Sequence, residues 1–202
     1  MKLYDDARAP NPRRVRMYLA EKGIDVPLVE TPVVTRANRT EEFKKINSLQ
    51  QIPVLELDDG TCIAESLAIC RYFEVLHPQP ALFGETALEQ AQVEMWNRRI
   101  EFQLLSTVGA YWRHCHEFTK ALPGRIEEAG LQGKERAEVI MKWLEGEIAG
   151  RNYIAGDKFT VADITALGVI DFARFVGVAI PDDAANLKAW HVRVSARPSA
   201  KV

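Results

Sequence analysis

Apolar positions in the first 77 residues alternate between a strand-like and a helix-like rhythm. Lys2–Tyr4 is a short strand candidate, and Pro12 opens a helix that runs to Gly23 with Val15, Tyr18, Leu19 and Lys22 on related faces. Proline in the first turn forfeits only an N–H that has no partner there, and glycine past the last turn accepts a left-handed cap. Val26–Val34 reads as a second strand. The polar stretch Thr35–Lys45 predicts a loop and a short helix carrying Phe43 and Ile46. Strands at Pro53–Leu57 and Thr61–Ala64 are joined through Asp58-Asp59-Gly60, a hairpin signal because such turns need residues that tolerate positive φ. Glu65-Ser66 then starts a helix with Leu67, Ile69, Cys70 and Phe73. The order is βαβ followed by ββα.

His77-Pro78-Gln79-Pro80 interrupts this rhythm and reads as a linker. Beyond it helical spacing takes over, over about Thr86–Phe118, Lys134–Ala149, Val161–Val176 and Asn186–Ser195. Met95, Ile100, Leu104 and Val108 recur near helical period, as do Ile164, Leu167 and Phe172. Thr160 at an N-cap with Asp163 at N3 resembles a capping box, and Phe159 and Ile164 sit where a hydrophobic staple would close it. The predicted class is α/β plus all-α, with domains over 1–77 and 85–202 and a linker over 78–84.

The bulk numbers narrow the function. Of 202 residues, 47% are hydrophobic and 27% charged, the balance of a globular chain with a real core. A formal charge of −2 argues against a general nucleic-acid binder, which would be clearly basic. Met1–Asp6 holds no apolar run of leader length, and Asp171 and Arg174 interrupt the most apolar later stretch, so no membrane span is expected. Cys62, Cys70 and Cys115 form no CxxC or metal-ligand spacing. No metal is expected, and a scattered odd set suggests a reducing compartment, with the cytoplasm the simplest reading.

Candidate chemistry gathers in Gln50-Gln51-Ile52-Pro53-Val54-Leu55-Glu56-Leu57-Asp58-Asp59-Gly60 and in Ile63-Ala64-Glu65-Ser66-Leu67-Ala68-Ile69. Proline at a strand's first residue leaves the backbone before it open to a partner outside the sheet. A peptide ligand can add there as a short strand on the amide and carbonyl of Ile52. Ser66, at a helix start, offers a hydroxyl and free N–H groups to a carboxylate. Glu65 beside it suits a cationic amine. Each feature alone is also what an ordinary strand start or N-cap looks like; together they fit a ligand with an amino-acid head and a short peptide body.

This run resembles the glutathione-site signature of the cytosolic glutathione transferases, and the similarity extends over nearly the whole chain. It includes Ala9-Pro10-Asn11-Pro12-Arg13-Arg14-Val15-Arg16, Leu19-Ala20-Glu21-Lys22-Gly23 and Phe43. It continues in Tyr153-Ile154-Ala155-Gly156-Asp157, Thr160-Val161-Ala162-Asp163-Ile164, and Trp190 with Arg193, Arg197 and Pro198. The turn before the first helix is most similar to the bacterial and yeast-type class. The resemblance implies a thioredoxin-like first domain, an all-helical second domain that shapes a pocket for an electrophilic, mostly apolar small molecule, and glutathione as co-substrate with no further cofactor. It also implies a cis Ile52–Pro53 bond, Ile52 pairing with the cysteinyl part of glutathione, and Glu65 and Ser66 holding the γ-glutamyl head. Gln51 falls near the glycyl end. Arg39 aligns with a basic residue that meets the glycine carboxylate in some classes, or is a solvated loop charge. A homodimer is implied as well, with Leu88–Arg99 and Cys70–Phe73 as contributors.

The activating group is the open question at this stage. Thiolate is the nucleophile, and most of the family supplies a Tyr, Ser or Cys near the first helix to stabilise it. Here Ala9 stands where several classes have Ser or Thr. Asn11 is the local substitute, helped by the positive end of a helix from Pro12 and by the Arg13 and Arg14 amides. Tyr4 reads as a core aromatic, and Asp5 and Asp6 would oppose an anion if aimed at it. Tyr111, Arg113 and His114 are candidates for the second-substrate pocket, with His114 as a possible base of near-neutral pKa, or else a solvated helix surface. Glutathione-dependent disulfide reduction and a non-catalytic glutathione-binding module are the alternative functions.

Overall fold

A computed structural model describes residues 1–202. Four strands form the sheet of the first unit: β1 (Lys2–Asp5), β2 (Leu28–Glu30), β3 (Val54–Glu56) and β4 (Cys62–Ala64), in the order β2-β1-β3-β4. β1 runs parallel to β2 and antiparallel to β3, which is antiparallel to β4. Three helices complete the unit: α1 (Pro10–Lys22), α2 (Glu41–Ile46) and α3 (Ser66–Leu76). Leu3, Val15, Met17, Tyr18, Val54, Leu55, Ile69 and Phe73 form its core.

Two boundaries differ from expectation for identifiable reasons. The second strand was expected over Val26–Val34 but pairs only over Leu28–Glu30. Pro27 and Pro32 bracket it and lack the N–H a ladder needs. Helix α1 starts at Pro10, not Pro12, with Ala9 as N-cap and Gly23 closing it in the left-handed region at φ 66°.

The second unit is all helix: α4 (Ala87–Arg99), a π-helical stretch over Ile100–Leu105, α5 (Ser106–Cys115), α6 (Glu127–Glu147), α7 (Val161–Phe175) and α8 (Ala185–Ser195). Helix α6 begins seven residues before the expected Lys134. Gly130 and Gly133 weaken the helical signal in sequence, yet in the fold they admit α5. A Cβ on Gly133 would lie 2.7 Å from the Thr107 carbonyl oxygen, and one on Gly130 would lie 2.3 Å from Cys115 Sγ. Asp163, fully buried in α7, accepts the N–H of Ile154 at 2.8 Å, the N–H of Thr160 at 3.0 Å and the indole N–H of Trp190 at 2.9 Å. The Thr160–Asp163 start seen in sequence thus ties a loop and α8 to α7.

The chain divides into Met1–Leu82 with Pro198–Val202, and Phe83–Arg197. A 3₁₀ turn over Pro198–Lys201 packs on α1 within the first unit, where Arg13 donates to the Ala200 carbonyl at 3.0 Å and Ser199 bonds Glu21.

Candidate functional site

A shallow cleft in the first unit is lined by Asn11, Asn47, Gln51, Ile52, Pro53, Glu65 and Ser66. It brings together the start of α1, the segment that leads into β3 and the start of α3. Six of its seven lining residues are those singled out in the sequence.

The first turn of α1 is unusually poor in donors. Pro10 and Pro12 have no N–H, and the Arg13 amide is spent on the Ala9 carbonyl at 3.1 Å. Asn11 therefore supplies the open backbone N–H of the turn, as well as its carboxamide. The expected contribution of the Arg13 and Arg14 amides is replaced by Asn11 itself, because the helix starts two residues earlier.

At the start of α3, Glu65 is the N-cap and holds φ 66° and ψ 114°, a left-handed value that a non-glycine residue rarely adopts. It makes no side-chain cap bond, so the first amides of α3 stay open. Ser66 is the first helical residue and is buried; its hydroxyl accepts from Arg14 Nη1 at 2.7 Å. Arg14 went unremarked as a side chain in the sequence. The available signal was its place four residues before Tyr18, on the face of α1 assigned to the core, where a cation requires a partner.

Ile52 precedes the β3 ladder, which begins at Val54, and the Ile52–Pro53 bond is cis. Its N–H and carbonyl are thus left to a partner from outside. The segment before it is clamped by two buried asparagines. Asn38 donates to the Gln50 carbonyl at 2.7 Å and Asn47 donates to the Gln51 carbonyl at 2.8 Å. Asn47 also accepts the Leu49 N–H at 3.1 Å, an Asx turn whose sequence signal is an Asn two residues before an otherwise unpaired amide.

The remaining candidates are not among the cleft's lining residues. Arg39 is exposed and outside the cleft lining. Tyr111, Arg113 and His114 are on α5 in the second unit. There His114 Nδ1 accepts the Ile126 N–H at 3.1 Å, Arg113 bonds the Pro123 carbonyl, and the Lys134 ammonium sits 5.6 Å from the Tyr111 ring. Tyr4 packs edge-on against Phe43 and donates to Glu56 at 2.6 Å, and burial raises its phenol pKa. Asp5 pairs with Arg16. Asp6 accepts the N–H groups of Arg8 and Val33 at 3.0 and 2.9 Å; burial acts to raise its carboxyl, but these bonds leave it below its ordinary value. Both carboxylates are committed to holding the turn before α1.

Comparison with known proteins agrees with this geometry. A family model described as the glutathione S-transferase N-terminal domain matches residues 3–81, and one described as the C-terminal domain matches residues 114–198. The chain is 38% identical to glutathione S-transferase 2 of Saccharomyces cerevisiae, over 100% of its own length and 88% of that protein. A crystal structure of a glutathione S-transferase domain-containing protein from Marinobacter aquaeolei superposes with a TM-score of 0.93 at 42% identity, covering 98% and 99% of the two chains. That of Gtt2 from Saccharomyces cerevisiae gives 0.94 at 36% identity, covering 100% and 99%. No helix is long and apolar enough to cross a membrane. With both domain models matched in order on a thioredoxin-like sheet and a helical second unit, the chain belongs to the glutathione S-transferase family of enzymes.

Proposed function

We propose that the chain conjugates the thiolate of glutathione to an electrophilic, mostly apolar small molecule, with Asn11 as the activating residue. The observation that carries this reading is the cleft itself. It aligns an open strand edge at Ile52, the open amides of α3 with Ser66 and Glu65, and the donors of Asn11. A γ-glutamyl head fits the α3 end, its carboxylate on the amides and Ser66 and its ammonium on Glu65. The cysteinyl backbone then pairs with Ile52, which brings the sulfur toward the start of α1.

Lowering a thiol pKa from about 8.5 by two units requires roughly 2.7 kcal/mol of preference for the thiolate. A hydrogen bond to a charged group contributes about 1.5–3 kcal/mol and a partly buried helix N-terminus up to about 2. The carboxamide and backbone N–H of Asn11 are sufficient on this arithmetic without a hydroxyl. The thiol proton leaves to solvent, sulfur forms the new bond to the electrophilic carbon, and the leaving group departs. The reading includes a homodimer, supported by Leu88, Met95 and Phe102, which recur every seven residues along α4 and the π-helical stretch and are all exposed.

The test is an ultraviolet titration of the thiolate of glutathione bound to the protein. A bound thiol pKa well below the free value, returning toward it in Asn11→Ala but not in His114→Ala, is the expected result. Return in His114→Ala alone would move activation to α5. Tight binding with an unshifted pKa would replace conjugation by a binding role.

A further inference from the structure

Arg14 is buried on α1, and its Nη1 donates to the hydroxyl of Ser66 at 2.7 Å. Ser66 is buried too, yet it lines the cleft, while Arg14 stands behind it and is not part of the lining. The chemistry of this bond is one-sided. A guanidinium carries five N–H donors and no acceptor, whereas a serine hydroxyl has one proton to donate and two lone pairs to offer. Arg14 therefore takes a lone pair of Ser66 and bars the hydroxyl proton from turning back toward α1. Arg14 is also the hydrogen-bond partner of that hydroxyl within the protein, so the Ser66 proton is left to the open side, which is the cleft. A charged donor behind the oxygen strengthens the O–H as a donor in turn, because bonds in a chain polarise one another where water is excluded.

We infer that Arg14 is a positioning residue, which aims the Ser66 hydroxyl into the cleft and thereby sets which way round the amino-acid head of the ligand binds. The inference rests on the glutathione reading given above. With a cation behind Ser66 and the Glu65 carboxylate beside it, the two charges of a zwitterionic head have different places. The α-carboxylate meets Ser66, and the ammonium meets Glu65. The reverse placement would set an ammonium beside a guanidinium and a carboxylate beside a carboxylate. The site consequently demands a free α-carboxylate on its thiol substrate, and Arg14 enforces that demand without touching the ligand.

The experiment measures Kd by calorimetry for glutathione and for γ-aminobutyryl-cysteinyl-glycine, which keeps the amine and lacks the α-carboxylate. The wild type is expected to prefer glutathione by about tenfold or more, the effect of a hydrogen bond to a charged group. Arg14→Gln places a carbonyl oxygen near Ser66, toward which the hydroxyl proton can turn. It should weaken glutathione by about tenfold and leave the analogue within about threefold, so that the preference is lost. A purely structural role for Arg14 would weaken both thiols alike; that result overturns the inference, as does an unchanged Kd for both. A second measurement, on the wild type, is independent of how the variant folds. The guanidinium N–H resonances of Arg14 in the magnetic-resonance spectrum should shift when glutathione binds and stay in place when the analogue binds. Glutathione binding that leaves them unmoved overturns the inference while the glutathione reading stands. Calorimetry showing that glutathione does not bind overturns both readings together.

Discussion

Glu65 sustains a backbone conformation that costs a non-glycine residue about 1–3 kcal/mol, at the point where α3 begins. Its carboxylate takes part in no cap, which leaves it for a ligand. Glu65→Gly is therefore expected to act in opposite directions on two measurements. The urea midpoint should rise, by about 1 kcal/mol of stability, as the strain is relieved. The KM for glutathione should rise about tenfold as the partner of its ammonium is lost. At the same scale, Asn11→Ala is expected to lower kcat about a hundredfold, the usual effect of removing one donor aimed at a developing anion, with a smaller change in KM. Asn11, Gln51, Ile52, Pro53, Glu65 and Ser66 were legible because each belongs to a local signal: a helix start, a strand start, a cap. Arg14 was not, since what it does depends on a partner 52 residues away; Asn47 carried a local signal in its Asx turn with Leu49, which went unread.

Helix α6 shows how one residue type carries opposite meanings along a single element. Gly133 lies against α5, where an added methyl would meet the Thr107 carbonyl at 2.7 Å and Ala110 Cβ at 3.0 Å. Gly133→Ala is expected to destabilise by about 2 kcal/mol, lowering Tm by roughly 4–8 °C. Gly146, in the same helix, has nothing within 4 Å of its would-be Cβ. There the same substitution should stabilise by up to about 1 kcal/mol, because alanine loses less chain entropy than glycine in a helix. Paired thermal melts decide both. This contrast also explains why the helix start was misread. Propensity sees the cost of Gly130 and Gly133 and not the close approach that repays it, which exists only once α5 is in place. The βαβ–ββα order and the later helices were legible for the converse reason, as their apolar spacing is a property of the local chain.

For the whole molecule the fully buried carboxyl is that of Asp163. Burial pushes its carboxyl up to about 6, against four donors from Ile154, Thr160 and Trp190 that act the other way. The folded state then holds this proton more tightly than the unfolded chain does. Its contribution to stability falls as pH climbs from about 4 to about 6 and is level above that, a change on the order of 3 kcal/mol. Asp163→Asn cannot titrate, so the gap between wild type and variant should shrink over that interval in urea unfolding at pH 4.5 and pH 7. An unchanging gap would show that the four donors outweigh burial.

The turn over Pro198–Lys201 has a further consequence, which concerns time and not geometry. Its residues are translated after the entire helical unit, yet they pack on α1 through Arg13 and Glu21, within the unit that is made first. On the ribosome the thioredoxin-like unit emerges early and must wait, with that flank of α1 uncovered, until residue 201 has been added and has cleared the exit. The thioredoxin-like unit is thus begun before the helical unit and finished after it, and its completion reports that the helical unit has been synthesised.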